Sequence, residues 1–340
     1  MLPINSLDSL ALLGIAPYSV EQLRLVKALR DRSMFKLICG AGYSDFNSIK
    51  KYSEIFTKAG AHIINVSAHP IAVSAAKEGI NNSKVSLDNQ PIIMISVSLD
   101  HNSDPRFKRI SLDENACDNC GDCVNVCATS AFSQKDNKLI YKKEKCSGCG
   151  DCPSVCHADA LTLEPVNALN PDILPELWSL GARCIEVYTG PNFYWLEPYI
   201  RRIKEISPHS WMFSVVLNSE FSSYQELKEQ AIEIHNLLGD GALVQVEGSS
   251  DNNQSQRNDS LSMFKALYAA NALLESERPL FIQIAGGVND KIRNLISQFN
   301  IRVHGIAMDS YARKLVEPHL DDPEIAVAIA SKLVNSVKNL

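Results

Sequence analysis

The chain has 340 residues, with 33 lysines and arginines against 39 aspartates and glutamates, a formal charge of −6. That length accommodates one barrel of roughly 250 residues plus one small module. The negative balance excludes a general binder of phosphate backbones, because the nearest basic run, Lys142, Lys143 and Lys145, is too short to follow a nucleic acid.

From the amino end, residues 1–19 carry an apolar patch that Asp8 interrupts and that no basic region precedes. No stretch reaches the ~18 apolar residues that a membrane-spanning helix needs, so the expected location is the cytoplasm. A covering helix is expected at about 20–31. Strands follow at 36–41 (KLICGA), 62–67 (HIINVS), 91–98 (PIIMISVS), 184–189 (CIEVYT), 211–217 (WMFSVVL), 241–247 (GALVQVE), 279–285 (PLFIQIA) and 304–308 (HGIAM). Helical periods lie between them, as in 44–60, 225–239 and 260–277; the first opens on Ser44 and Asp45 and closes on Gly60, which are start and stop signals. Eight strand–helix units predict an α/β fold, a (β/α)8 TIM-like barrel, with a doubly wound open sheet as the rival arrangement.

The third strand ends near Ser98 and its helix is expected only at 170–182 (NPDILPELWSLGA). The intervening segment is therefore an insertion in the third βα loop, on the face where barrels place their active sites. The expected division is barrel over 1–103, inserted domain over 104–166, and barrel again over 167–340.

Of ten cysteines, eight fall inside this insertion. Cys117, Cys120, Cys123 and Cys127 form one C-x2-C-x2-C-x3-C run, and Cys146, Cys149, Cys152 and Cys156 form another. This is the bacterial ferredoxin spacing, in which three thiolates on a tight loop reach three corners of one cubane and the fourth reaches the other. Two [4Fe–4S] clusters are expected, in a ferredoxin-like α+β domain. Cluster one takes Cys117, Cys120, Cys123 and Cys156; cluster two takes Cys146, Cys149, Cys152 and Cys127. Gly121, Gly148 and Gly150 let the loops wrap closely. Zinc also takes four cysteines, but in separated C-x2-C pairs rather than complete four-cysteine runs. The proline usual after the fourth cysteine is replaced by Ala128 and His157, which points to more exposed and oxygen-labile clusters. Cys39 and Cys184 lie in apolar strand-like runs and read as buried core thiols.

Alternation along the strands turns Lys36, Asn65, Ser67, Cys184, Glu186, Tyr188, Ser214, Leu243, Gln245, Glu247 and Gln283 into the barrel. An interior so polar differs from the branched apolar filling usual in such barrels. Lys36, Asn65, Glu186, Gln245, Glu247 and Gln283 are the candidate pocket, either binding a ligand or forming an internally paired, inert network; no catalytic residue is assigned. At the seventh and eighth loops, Gly286, Gly287, Ser310 and Arg313 are candidate phosphate-binding residues, although Asp309 opposes an anion there. The polar run 249–260 reads as a solvated loop, a lid or a docking loop. Trp195 and Trp211 are expected to pack, and His62, His69, His101 and His304 stand near strand ends without ligand spacing.

The barrel resembles the Ycf23 family of plastids and cyanobacteria in KLICGAGYSDFNSIKK, GAHIINVSAHP, VQVEGSS and IAGGVND. With paired cluster motifs inserted in that frame, the whole chain resembles the LdpA (light-dependent period) family of cyanobacteria. The resemblance implies an iron–sulfur redox sensor on the input side of the circadian clock, with clock-input proteins as partners and a quinone or another redox donor beside them. The alternative is a ferredoxin-coupled oxidoreductase acting on a small molecule held in the barrel. A third reading leaves the clusters as mere staples of the insertion. The sensor is favoured over the enzyme because no flavin or nicotinamide fingerprint is present.

Overall fold

The computed structural model describes residues 19–40, 45–99, 107–127, 129–146, 148–165, 171–248 and 259–338. The first helix, α1 (Val20–Arg30), starts on a capping box in which Ser19 Oγ accepts from the Gln22 amide and Gln22 Oε1 accepts from that of Ser19. Two strand–helix steps and a third strand follow: β1 (Met34–Ile38), α2 (Phe46–Lys58), β2 (Ile63–Ser67), α3 (Pro70–Asn82) and β3 (Ile92–Ser98). After the insertion come α6 (Leu174–Ser179), β8 (Ala182–Tyr188), α7 (Leu196–Ile206), β9 (Met212–Asn218), α8 (Tyr224–Leu238) and β10 (Leu243–Glu247). The chain ends with α9 (Asp259–Glu275), β11 (Phe281–Ala285), α10 (Ile292–Gln298), β12 (Gly305–Met308), α11 (Ser310–Val316) and α12 (Pro323–Ser336).

The eight parallel strands close in the order β1-β12-β11-β10-β9-β8-β3-β2, which is the (β/α)8 barrel and rules out the open sheet. Between β3 and α6 lies the insertion. Its outer strands β4 (Lys108–Leu112) and β7 (Leu161–Pro165) pair antiparallel. Inside them run α4 (Asp122–Val126), β5 (Phe132–Lys135), β6 (Lys138–Tyr141) and α5 (Asp151–Ser154). Asp136 and Asn137 connect β5 to β6 with φ of 52° and 58°, the positive values a two-residue hairpin turn requires.

Outward strand residues such as Phe35, Leu37, Val66, Ile95, Val187, Val244 and Ile284 pack against the helices in the main core. The amino end of the barrel is plugged: Leu25, Ala28 and Leu29 of α1 pack on Met34, Ile63, Ile92, Met94, Cys184 and Leu243. Arg24 fastens this helix by donating to the carbonyls of Ala61, Gly60 and Gln90 at 2.9, 3.1 and 3.2 Å. At the other end, Phe107 at the root of the insertion meets Tyr188 edge-on at 5.9 Å, with Val216 beside them.

Several expectations are corrected. The first strand covers Met34–Ile38 rather than 36–41, because Phe35 and Met34 already face packed layers and Gly40, at φ 112°, leaves the ladder. The helix expected at 170–182 is a 3-10 turn (Pro171–Ile173) followed by the short α6, and Ala182 already belongs to β8. Trp195 does not pack in the core: it is 53% exposed on a 3-10 turn, tilted against the still more exposed Tyr194, whereas Trp211 is buried as expected. Residues 249–258, most of the polar run, and His101 lie outside the described residues.

Candidate metal centre

Each ferredoxin-like loop turns at a glycine in left-handed backbone: Gly121 at φ 88° before α4 and Gly150 at φ 85° before α5. These equivalent glycines follow the second cysteine of each run and bring the third back towards the first two. Cys117, Cys120, Cys123 and Cys156 line a single cavity, closed by Gly121, Leu139, Ala160 and Leu161. Three of these thiols come from the first run and one from the second.

The electrostatics report the same grouping. Burial pushes the Cys123 thiol up to about 11, and the neighbouring Cys120, Cys117 and Cys156 thiols add to the rise. Burial likewise raises Cys152, reinforced by Cys149, Cys146 and Cys127. Four crowded thiolates repel one another, and a bound cationic iron core relieves that repulsion while its softness matches sulfur. The donor set therefore fits two four-thiolate clusters, with Cys127 and Cys156 each beside the other run.

The surroundings of the two groups differ. Beside the second, the Ala131 amide donates to Cys127 Sγ at 3.2 Å and the Gly148 amide to Cys146 Sγ at 3.4 Å. Cys146 and Cys152, together with Cys123 of the first group, are buried with Ile110, Ala131, Phe132 and Leu161, and Tyr141 stacks on Phe132 at 4.6 Å while donating to the Ile110 carbonyl. Beside the first, Cys120 is exposed. Asp118 accepts from the Cys120 amide at 3.1 Å and lies 2.7 Å from His157 Nε2, whose other ring nitrogen is 4.0 Å from Asp122. The Cys120 amide and the imidazole hold the Asp118 carboxyl below the usual carboxylate range. His157, standing where a proline is usual, thus ties the segment of Cys156 to the loop of Cys117.

Inside the barrel the alternation reading places its residues together. Lys36 forms an ion pair with Glu186 and donates to Gln245 Oε1 at 2.6 Å. Gln245 Nε2 donates to Glu247 at 2.8 Å and Gln283 Nε2 to Gln245 Oε1 at 3.1 Å, while Asn65 Nδ2 reaches Ser96 Oγ at 2.9 Å. Ser214 Oγ stands 3.5 Å from Glu186. Among the described residues, Glu186 Oε2 and Gln283 Oε1 accept no hydrogen bond. Met94, whose sulfur is 3.6 Å from Lys36 Nζ, and Ser96 escaped the sequence reading. The first four residues of β3 are all apolar, and its alternation rests on Ser96 and Ser98 alone. Cys39 and Cys184 are fully buried, and burial pushes Cys39 up to about 12 and raises Cys184, as inert core thiols require.

At the seventh loop Gly286 and Gly287 have φ of 75° and 76°, and β11 lies beside β12, so this loop neighbours the eighth. Ser310 turns its hydroxyl to Asp309 at 3.2 Å, and Arg313 lies within electrostatic reach of Cys39. No helix among the described residues is long and apolar enough to cross a membrane.

Comparison with known proteins accords with this architecture. Residues 109–167 match the 4Fe-4S dicluster domain, and residues 259–340 match the Light dependent period A C-terminal domain. The chain is 26% identical to Light dependent period A of Synechococcus elongatus over 92% of its own length and 93% of that protein. The tryptophan synthase subunit alpha of Legionella pneumophila superposes with a TM-score of 0.50 at 9% identity, over 95% of this chain and 100% of that one, a likeness of fold alone.

Proposed function

We propose, from the premise that the chain belongs with the Light dependent period A family, that it is an iron–sulfur redox sensor relaying cellular redox state to the circadian clock. It holds two [4Fe–4S] clusters, on Cys117, Cys120, Cys123 and Cys156 and on Cys146, Cys149, Cys152 and Cys127. The observation that carries this is the crossed grouping of thiols in a dicluster domain spliced into a barrel. Bound there, the clusters supply one-electron chemistry. The chain works in the cytoplasm, as barrel over 1–103 and 167–340 and as cluster module over 104–166. Its partners are clock-input proteins, and a quinone or a redox donor exchanges electrons with it.

Clusters of this kind change net charge by one on reduction, and a partner that binds one state more tightly reads that change. The experiment is a pull-down from cells held in light and in dark, using this chain and a version with all eight cysteines replaced by serine. About eight irons per chain are expected in the first, with a light-dependent partner set that the second lacks. Identical partners from both versions would overturn the sensor.

A second reading, an oxidoreductase acting in the barrel, draws on one observation: the unsatisfied oxygens of Glu186 and Gln283 deep in the interior. Against it, Lys36, Glu186, Gln245 and Gln283 have no solvent exposure, so a substrate reaches them only if the barrel mouth rearranges. Rapid reoxidation of the reduced protein by one metabolite would favour the enzyme. The candidate phosphate site of Gly286, Gly287, Ser310 and Arg313 belongs to this second reading.

A further inference from the structure

We propose that the two clusters are inequivalent, that cluster one is the element which responds to oxidant, and that it opens at Cys120. The inference rests on the two-cluster reading above and names which part of the site does the sensing.

Access is the first argument. Cys120 is the one exposed thiol of the eight, whereas the corresponding middle cysteine of the other run, Cys149, is partly covered. An oxidant from solvent therefore meets the Cys120 corner before any other.

The second argument is the chemistry around that corner. Asp118, Cys120 and His157 each present a ligand atom, and these atoms lie within 4.8 Å of one another. A carboxylate oxygen and an imidazole nitrogen beside a thiolate-bound iron compete for that metal once it is ferrous, since both are good ligands for ferrous iron. Carboxylates also stabilise the more oxidised, more positive core and so favour loss of the electron.

Cluster two is the more covered: Cys146 and Cys152 are both buried, against Cys123 alone in cluster one, and amides of Ala131 and Gly148 donate to Cys127 and Cys146. Donors to sulfur stabilise the reduced state, and burial keeps oxidant away.

The step balances with dioxygen as the oxidant. With a [4Fe–4S]2+ cluster bound, Cys117, Cys123 and Cys156 would keep three irons as [3Fe–4S]+ while Cys120 would release the fourth as Fe2+ and become a free thiolate, the one electron lost reducing dioxygen to superoxide. Asp118 and His157 would offer the released Fe2+ an oxygen and a nitrogen ligand.

The test uses the full chain with its clusters rebuilt without oxygen. After admission of air-saturated buffer, samples are quenched at intervals with iodoacetamide, the alkylated cysteines are located by mass spectrometry, and three-iron clusters are followed by electron paramagnetic resonance. Alkylation of Cys120 should rise together with the three-iron signal while Cys127, Cys146, Cys149 and Cys152 stay protected. Alkylation of Cys149 or Cys127 first, or of all eight together, overturns the proposal. A chain that takes up no iron is recognised before oxygen is admitted, and that result defeats the two-cluster reading itself.

Discussion

Lys36 on the first strand of the barrel and Glu186 on the fourth form an ion pair in which neither side chain has any solvent exposure. Removing one partner strands the other charge in the interior. Lys36→Met should therefore destabilise the protein by about 3–5 kcal/mol. Pairing it with Glu186→Leu should recover most of that loss, because two apolar side chains replace a costly pair. Urea unfolding midpoints of the single and double variants check this; a double variant no more stable than the single would contradict it.

The crossed arrangement predicts an asymmetric response to cysteine replacement. Cys127→Ser should damage the cluster of Cys146, Cys149 and Cys152 and spare the other, although Cys127 belongs to the first run in sequence. Electron paramagnetic resonance of the reduced variant, compared with Cys156→Ser, reads the difference. Loss of the same signal in both variants would count against the crossing.

Two histidines make the same bond at two places. His62 Nδ1 accepts from the Phe35 amide at 3.2 Å and His304 Nδ1 from the Ile282 amide at 3.0 Å, each just before a strand. Burial holds both neutral, His62 down to about 3 and His304 to about 4, with Arg24 and Lys338 adding to the first and Arg32 to the second. A folded pKa below the unfolded value means that the unfolded chain binds more protons as pH falls. Stability present above pH ~6.5 should thus be lost by up to about 1.4 kcal/mol per pH unit for each ring, until the folded pKa values are reached. Unfolding curves between pH 7 and 5 measure the slope, which His62→Gln with His304→Gln should flatten.

Gly79 sits inside α3 where α2 crosses it. A Cβ there would lie 2.2 Å from the Lys50 carbonyl oxygen and 2.9 Å from Ser53 Cβ. Gly79→Ala should destabilise by about 1–3 kcal/mol despite alanine's better helix propensity, because two backbones must part. A thermal melt decides it, and a gain in melting temperature would refute the close-packing account.

The barrel was legible in the sequence because each strand is short, apolar and bounded by turn residues. The inward faces of β1, β2, β8, β9, β10 and β11 were legible too, since polar residues such as Lys36, Glu186 and Gln245 mark their phase. The phase of β3 was carried only by Ser96 and Ser98 near its end, and a serine marks a buried face less plainly than a charge. Trp195 was misplaced for a related reason: an aromatic side chain is apolar whether it faces the core or solvent, and only the turn at Phe193–Trp195 turns it outward.

The cysteines divide along the same line. Their number, type and spacing, with the glycines that let the loops turn, are properties of the sequence by itself, because ligand geometry follows from short-range chain geometry. That Cys117, Cys120, Cys123 and Cys156 line one cavity is a fact of the folded chain. That Cys120 faces solvent beside Asp118 and His157, while Cys146 and Cys152 are buried, was decided only by tertiary structure. Two runs of identical spacing cannot differ in exposure by local rules; the difference comes from what the rest of the chain packs against each.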